Sequence, residues 1–403
     1  MSARDADARP AAGQRTALHF VVLIGLTSLF ADMTYEGSRG VTGPFLGTLG
    51  ATGALVATIA GAGEFVGYAL RWVSGVLADR TRRYWAITLA GYAINLLAVP
   101  ALALAGTWQA AAAFIILERT GKALRTPARD AMLAHAGRQL GRTGWAFGLH
   151  EALDQTGATL GPLIVAGVLA LRGDYRLAFA WLLVPALLAL SVLVLARLRF
   201  PRPHDLEINR APPALPGGRR DLLLFFLATA LIAAGYADFP LIAYRLGRDH
   251  VLDPAWIPVL YSLGNVAAGA AALVLGRAYD RHGLGVLIHA TVVPALFAPL
   301  VMLGGAGMAV AGMLLWGIGF GAHDTLLRAA VADRVAKEQR ASVLGAFNTF
   351  YGLAWFAGSA VLGVLFDLDP LYLVVASLAL QWLACVVLLV LRRSSPPLAT
   401  GAG

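Results

Sequence analysis

Ionisable side chains lie inside long apolar segments of this sequence, where ionisation is costly. Three of them are carboxylates, Glu64, Glu118 and Asp154. A carboxylate that is shielded from water binds its proton more readily, whereas a nearby cation favours the ionised form. Lys122 lies one helical turn from Glu118, and Arg71 lies two turns from Glu64. The three carboxylates are therefore proton-coupling candidates, and sequence spacing does not rank them.

Further polar side chains share helical faces with these carboxylates and predict the lining of a substrate cavity. Glu118, Lys122, Arg125 and Arg129 are spaced four, three and four residues apart, so they form one stripe along a helix. The predicted cavity residues are Asp32, Glu36, Tyr68, Arg71, Arg119, Lys122, Glu151, Asp238, Asn265, His323, Asp324, Asn348 and Tyr351.

A repeated pair of charges occurs in the first and seventh apolar segments. Asp32 precedes Arg39 by seven residues, and Asp238 precedes Arg245 by the same distance. These positions correspond between the two halves of the chain. We interpret both aspartates as part of an outer gate or vestibule, with interfacial residues in water as the alternative.

The composition indicates that the apolar segments span a membrane. The 403 residues are 58% hydrophobic and 14% charged, which is more apolar surface than ordinary soluble cores bury. A spanning helix needs about 20 mostly apolar residues. We predict an all-α membrane protein with twelve transmembrane helices in two pseudo-symmetric six-helix bundles, at about 17–36, 49–77, 84–105, 108–131, 144–171, 176–196, 221–244, 254–277, 285–304, 307–330, 342–366 and 370–391.

Polar segments divide the chain and set its predicted topology. The predicted parts are a disordered cytoplasmic tail (1–16), an N-terminal bundle (17–196), a proline-rich cytoplasmic linker (197–220), a C-terminal bundle (221–391) and a cytoplasmic tail (392–403). With both termini in the cytoplasm, most of the 32 basic residues fall on the inner side. The basic excess is thus topogenic, and we expect a cytoplasmic (inner) membrane protein without nucleic-acid partners.

Several chemistries have no matching pattern in the sequence. The single cysteine, Cys385, excludes an intrachain disulfide, and no phosphate-binding loop or nucleophile motif is present. No two of the eight histidines have close ligand spacing on one helix. We expect no enzyme, cofactor or bound metal, although divalent-metal transport stays an alternative. The expected partners are protons, a small-molecule substrate and the lipid bilayer, and we expect a monomer.

A short polar block occurs twice and predicts a gate. It runs from Gly75 to Arg83 and again from Gly276 to Gly283, and its Asp-Arg pairs lie 201 residues apart. Such a repeat indicates a duplicated membrane protein. Its aspartate can face the positive N-terminal end of a helix, while its arginines need carboxylates, for which Asp130 is the candidate. The predicted gate residues are Gly75, Asp79, Arg80, Arg83, Asp130, Asp280 and Arg281.

The first block resembles the loop between helices two and three of the major facilitator superfamily. It matches that pattern at Gly75, Leu77, Ala78, Asp79, Arg80 and Arg83. It departs at Arg82, where the family prefers glycine. The fifth segment, with Gly157, Gly161 and Pro162, partly resembles a helix-packing motif of the drug/proton antiporters of that superfamily. In the same branch, Arg119 resembles an arginine that is linked to proton coupling.

The resemblance implies a secondary transporter that works by alternating access. Charge in the N-terminal half and aromatic residues in the C-terminal half predict a lopsided cavity, which suits an amphiphilic or cationic substrate. Proton-coupled efflux is the favoured interpretation. The alternatives are uptake of an organic anion or nutrient, a lipid-intermediate flippase, and a non-transporting membrane sensor of the same fold.

Overall fold

Every regular element is helical in the part of the chain that the computed structural model describes, residues 3–51, 53–172, 174–202, 218–252 and 256–394. This confirms the predicted all-α fold. The helices are α1 (Ala3–Thr48), α2 (Gly53–Thr81), α3 (Tyr84–Ala101), α4 (Trp108–Leu140), α5 (Thr143–Arg172), α6 (Tyr175–Trp181), α7 (Leu183–Arg199), α8 (Gly218–Gly235), α9 (Phe239–Arg248), α10 (Trp256–His282), α11 (Leu284–Val292), α12 (Phe297–Leu303), α13 (Ala306–Arg334), α14 (Arg340–Leu368) and α15 (Pro370–Ser394).

Three predicted helices are interrupted. The sixth is divided into α6 and α7, and the seventh into α8 and α9 around residues 236–238. The ninth is divided into α11 and α12 by a 3-10 turn that begins at Pro294, whose ring nitrogen cannot donate to the preceding turn. Residues 203–217 of the predicted linker and 395–403 of the predicted tail lie outside the described residues.

The N-terminal end differs from the sequence-based expectation. The sequence predicted a disordered tail up to residue 16, whereas α1 begins at Ala3. Residues 3–12 contain several alanines, which have the highest helix propensity, although Pro10 also lies in this segment.

Ten described helical segments are long and apolar enough to cross a membrane. The helix α4 is not among them, because it carries a charged stripe. In a bilayer such charges are tolerated only where they face water or a partner. The charged face of α4 is thus the place to look for a polar site.

The chain forms two compact units that interleave along the sequence. The N-terminal unit comprises Met1–Gly141, Leu153–Arg210 and Val335–Thr349, and the C-terminal unit comprises Arg142–Ala152, Ala211–Arg334 and Phe350–Gly403. Helices α5 and α14 each pass from one unit to the other. His150 and Glu151 therefore belong to the C-terminal unit, while Asp154 on the same helix belongs to the N-terminal unit.

The two units have different cores. In the N-terminal unit, α3 and α4 approach closely at Gly91 and Gly121, where a Cβ on Gly91 would lie 2.6 Å from the Arg125 amide nitrogen. In the C-terminal unit, Tyr236 and Trp316 centre an aromatic core, in which the Tyr236 hydroxyl donates to the Trp316 carbonyl. Glycines permit the close approach of α3 and α4 in the N-terminal unit, and large aromatic side chains fill the core of the C-terminal unit.

The turn after α2 holds Arg82 in the left-handed backbone region, with φ of +54°. Its amide donates to the Ala78 carbonyl at 2.8 Å. The second repeat has Gly283 at the corresponding place, with φ of +61° and an amide that donates to the Tyr279 carbonyl at 2.7 Å. A left-handed conformation costs most residues about 1–2 kcal/mol, whereas glycine adopts it readily. The family preference for glycine at Arg82 therefore has a backbone cause.

We predict that Arg82→Gly stabilises the protein by about 1 kcal/mol, because it relieves the left-handed strain. The matched variant, Gly283→Ala, introduces the same strain and should destabilise by about 1 kcal/mol. Thermal unfolding of the purified protein in detergent measures both changes. A midpoint that falls in Arg82→Gly and rises in Gly283→Ala would contradict the assignment of strain to this turn.

Candidate functional site

A continuous set of ion pairs crosses the N-terminal unit. This ion-pair chain consists of Glu36, Arg39, Glu64, Arg119 and Glu118. Arg39 contacts Glu36 at 3.2 Å and Glu64 at 3.5 Å. Arg119 contacts Glu64 at 3.3 Å and Glu118 at 3.2 Å. The chain has three carboxylates and two guanidiniums, so it carries one negative charge in excess when all five groups are ionised.

The ion-pair chain is most exposed at Arg39 and becomes more buried on either side of it. The exposed fraction of the side chain falls from 53% at Arg39 to 14% at Glu36 in one direction. In the other direction it falls to 32% at Glu64, 16% at Arg119 and 9% at Glu118. Ion pairs in water contribute little, whereas buried charges depend strongly on their partners. The contact of Arg39 with Glu64 should thus be the least costly to break, and the contact of Arg119 with Glu118 the most costly.

The buried end of the ion-pair chain is fixed by an amide from α3. Asn95 donates to Glu118 Oε1 at 2.8 Å and to the Glu118 carbonyl at 3.1 Å. The sequence placed Lys122 one turn from Glu118, whereas the ion pair of Glu118 in the described residues is with Arg119. Successive positions on a helix project in different directions, and Arg119 reaches back across the surface of α4 to pair with its neighbour.

A cavity of about 410 Å³ lies beside the ion-pair chain. Charged, hydroxylic and apolar side chains share its wall, which suits a ligand with one polar and one apolar end. The lining residues are Tyr35, Ser38, Arg39, Thr42, Gly43, Leu46, Ile59, Glu64, Val99, Leu102, Ile115, Glu118 and Arg119.

Lys122 and Asp32 meet around the ring of Tyr35, which lines the cavity. The ammonium of Lys122 lies 3.7 Å from the centroid of the Tyr35 ring. The Tyr35 hydroxyl donates to Asp32 Oδ2 at 3.2 Å. Asp32 is buried within α1, with Asp154 and Lys122 among its charged neighbours. Its assignment to an outer gate stays a prediction.

The glycines of α5 pack against α1. A Cβ on Gly157 would overlap the Leu29 carbonyl, and one on Gly161 would overlap the Met33 carbonyl. Asp32 lies directly against Gly157, with its Cβ 3.1 Å from the place of a Gly157 Cβ. The close approach of the two backbones thus places α5, which carries Asp154, next to α1, which carries Asp32. This is the packing role that was predicted for Gly157 and Gly161.

The aspartate of the first polar block holds the first turn of α14. Asp79 accepts from the amides of Ala341 at 3.2 Å and Ser342 at 2.6 Å, and from the Ser342 hydroxyl at 2.5 Å. The Tyr84 hydroxyl donates to it at 2.7 Å. These four residues are called the Asp79 latch below. The carboxylate satisfies free amides at a positive helix end, as the sequence predicted.

The second polar block repeats this geometry in the C-terminal unit. Asp280 accepts from the amides of Gly144 at 2.6 Å and Trp145 at 2.8 Å, which are the second and third residues of α5. Ala341 and Ser342 hold the same positions in α14. The internal repeat is therefore visible as a repeated hydrogen-bonding arrangement.

Asp130, the candidate partner of the gate arginines, accepts from Arg129. The two distances are 2.9 and 2.7 Å, and both residues are buried. Arg80 and Arg83 are exposed, as is Arg281 in the second block. An adjacent guanidinium inside the protein competes better for a buried carboxylate than solvated ones do.

Three residues predicted to line a cavity, Glu151, His323 and Asp324, take part in contacts within the C-terminal unit. Arg328 pairs with Glu151 at 2.8 Å and also contacts Asp324. His323 is buried, and its Nε2 lies 3.0 Å from the Thr291 hydroxyl. Within the described residues, these three predicted sites therefore take part in internal contacts of the C-terminal unit.

The remaining predicted cavity residues have various environments. Asn265 and Asn348 are buried, whereas Tyr351 packs on Trp355 with ring centroids 5.8 Å apart. Asp238 accepts from the Phe239 amide at 2.8 Å at the start of α9. Arg71 lies over Tyr68, 4.9 Å from its ring centroid.

Sequence reasoning missed Tyr35, Asn95 and Arg39 as site residues. An asparagine in an otherwise apolar helix was the available signal for Asn95, because such a residue needs a partner in a membrane. Arg39 was counted as an outer-side charge. Its contact with Glu64 depends on how α1 and α2 pack, which helical spacing within one segment does not show.

Comparisons with known proteins place the chain in a family. The family model described as "Major Facilitator Superfamily" matches residues 24–359 and 255–401. The chain belongs to this superfamily of transporters. It is therefore a multi-pass membrane protein, and no enzymatic activity is implied.

Individual relatives are similar along most of their length. An uncharacterized protein of Mycobacterium tuberculosis (strain ATCC 25618 / H37Rv) is 40% identical over 384 residues, covering 94% of each chain. An uncharacterized MFS-type transporter of Methanocaldococcus jannaschii is 26% identical, covering 87% of this chain and 89% of the relative. The crystal structure of the human organic anion transporter MFSD10 (TETRAN) superposes with a TM-score of 0.69 at 14% identity, covering 94% of this chain and 99% of the other. At this level of identity, the similarity to MFSD10 shows a shared fold and nothing more.

We predict that Gly161→Ala destabilises the protein by about 1–3 kcal/mol, because the new methyl group overlaps the α1 backbone. Gly167→Ala is the matched control on the same helix, since a Cβ there has no neighbouring atom within 4 Å. Thermal unfolding in detergent compares the two variants. Equal midpoints in Gly161→Ala and Gly167→Ala would show that the α1–α5 approach is not tight in solution.

Proposed function

We propose that this protein is a proton-coupled secondary transporter that exports amphiphilic or cationic small molecules. One observation carries the proposal: Arg119 is shared between Glu64 and Glu118 on the wall of a cavity. A guanidinium that serves two carboxylates links them, because a change in the charge of one alters its contact with the other. A proton or a cationic substrate can replace the guanidinium at a carboxylate, and the two then compete.

The exchange proceeds along the ion-pair chain. Protonation of Glu118 removes its attraction for Arg119, so that Arg119 is left to Glu64. Glu64 then needs Arg39 less, and this exposed guanidinium can leave the cavity mouth. A cation that enters beside Glu64 reverses the order and favours loss of the Glu118 proton. Binding of the proton and binding of the cation then disfavour each other, which is the coupling that an antiporter needs.

The cavity composition supports an amphiphilic substrate. Ile59, Leu102 and Ile115 provide apolar wall beside the carboxylates Glu64 and Glu118. A volume of about 410 Å³ falls within the range of small-molecule sites. The Asp79 latch supplies a two-state element for alternating access, since its hydrogen bonds to α14 can form in one state and break in the other. We place the protein in the cytoplasmic membrane as a monomer with both termini in the cytoplasm.

A specific observation favours organic-anion transport as a second candidate. Arg125 is buried, and its Nε and Nη1 have no hydrogen-bond partner among the described residues. Its guanidinium lies over Tyr92, 4.2 Å from the ring centroid. A buried guanidinium with unpaired donors can recognise a carboxylate bidentately. Anionic probes therefore belong in the same test.

We predict that Glu118→Gln and Glu64→Gln each reduce substrate-driven proton flux at least tenfold, because the amide cannot exchange a proton. The protein is reconstituted in liposomes under a pH gradient. The probes are tetraphenylphosphonium and a hydrophobic guanidinium as cations, and an aromatic carboxylate as the anion. A pH-sensitive dye reports proton movement.

Glu338→Gln is the control, since this carboxylate is exposed and lies outside the cavity. Its proton flux should equal that of the unmodified protein. Flux that persists in both cavity variants would exclude Glu64 and Glu118 as coupling groups and would leave Asp154. Flux with the carboxylate alone, lost in Arg125→Gln, would establish the second candidate.

A further inference from the structure

We propose that His135 and Arg340 are positioning residues that make the Asp79 latch sensitive to acid. The latch holds the first turn of α14, and Arg340 is the first residue of that helix. His135 comes from α4 and is fully buried. This pair therefore links the state of one imidazole to the placement of a gating helix. The inference does not rest on the proposed substrate or on the proposed proton-coupling carboxylates.

The contact between the two side chains requires a neutral histidine. Arg340 Nη1 lies 2.6 Å from His135 Nδ1, and Arg340 is only 1% exposed. A guanidinium donates and never accepts, so Nδ1 must be the accepting nitrogen and carry no proton. A proton on Nδ1 would place two cations in contact inside the protein, where charge repulsion is strong.

The surrounding contacts connect this pair to the latch. Arg340 also donates to the Val335 carbonyl at 3.4 Å, which fixes the segment that enters α14. The Tyr84 ring meets the His135 ring edge-on, with centroids 6.1 Å apart, and the Tyr84 hydroxyl donates to Asp79. His135 thus contacts Tyr84, which donates to Asp79. It also contacts Arg340, which directly precedes the two residues whose amides donate to Asp79.

The charged groups around His135 come from four helices. They are Arg340 on α14, Tyr84 on α3, Asp79 on α2 and Arg138 on α4 itself, and Arg82 lies near Tyr84. Arg340 Nη1 lies within hydrogen-bonding distance of His135 Nδ1, so a proton on that nitrogen meets this cation directly. Repulsion between the two sets the sign of the response.

Acid opens the latch by linkage. The closed latch disfavours the proton on His135, so the proton binds preferentially to the open form, and falling pH shifts the equilibrium towards opening. An unperturbed histidine titrates near pH 6.5. With that value for the open form, the open fraction should rise about tenfold between pH 7.5 and pH 5.5.

We predict that the amides of residues 339–345 lose protection from hydrogen exchange about tenfold when the pH falls from 7.5 to 5.5. The full-length protein is reconstituted in lipid nanodiscs. Exchange is followed by mass spectrometry, and the rates are corrected for the intrinsic pH dependence of chemical exchange. The readout requires no transported molecule, so it is independent of whether the proposed function holds.

His135→Asn is the decisive variant. The asparagine oxygen can accept from Arg340 where Nδ1 does, but it does not titrate, so protection should stay at its pH 7.5 level at both pH values. Arg340→Gln should reduce the pH step, because the cation 2.6 Å from His135 Nδ1 is then absent. His19→Asn is the matched control and should retain the full step, since His19 is exposed and lies in α1.

Asp79→Asn is the positive control for an open latch, since loss of the latch carboxylate should lower protection at both pH values. A pH step that survives in His135→Asn would overturn the proposal and assign the response to another group, such as Asp79. Absence of any step in the unmodified protein would overturn it as well, provided that Asp79→Asn exchanges faster.

Discussion

The cost of burying charge in a low-dielectric medium constrains this structure more than any other interaction. In the N-terminal unit, two arginines and three glutamates are arranged so that each guanidinium contacts two carboxylates. Any one of them alone in the bilayer would be expensive, whereas the connected set is tolerated. The helices α2 and α4 can therefore be less apolar than their neighbours, and their sequences can carry chemistry that the other helices do not.

The same constraint governs the ends of the helices. A helix that starts inside a membrane protein has free amides in its first turn, and each needs an acceptor. Asp79 and Asp280 provide acceptors for α14 and α5, and glycines beside them allow the backbones to approach. Both aspartates contact the second and third residues of a helix. This geometry has therefore been kept since the duplication, although the surrounding sequences differ.

How far the sequence predicts the structure depends on the range of the interaction. The helices, the repeat and the capture of a helix end by Asp79 follow from local composition and from a motif. Partners were less predictable, because they depend on the rotation of each helix against its neighbours. Glu118 was correctly selected as a buried carboxylate, but its contacts with Asn95 and Arg119 were not foreseen. Arg39 illustrates the same limit, since its partner lies on another helix.

A shared guanidinium distinguishes the ion-pair chain from a set of separate ion pairs. Glu64 and Glu118 share Arg119, and Glu64 also contacts Arg39, whose side chain is half exposed. Lys122 and Arg71 are further cations in the surroundings of Glu64. The chain borders a cavity, so an incoming proton or cation would change the contacts of more than one carboxylate. Linkage between sites of this kind is a physical requirement for coupling one flux to another.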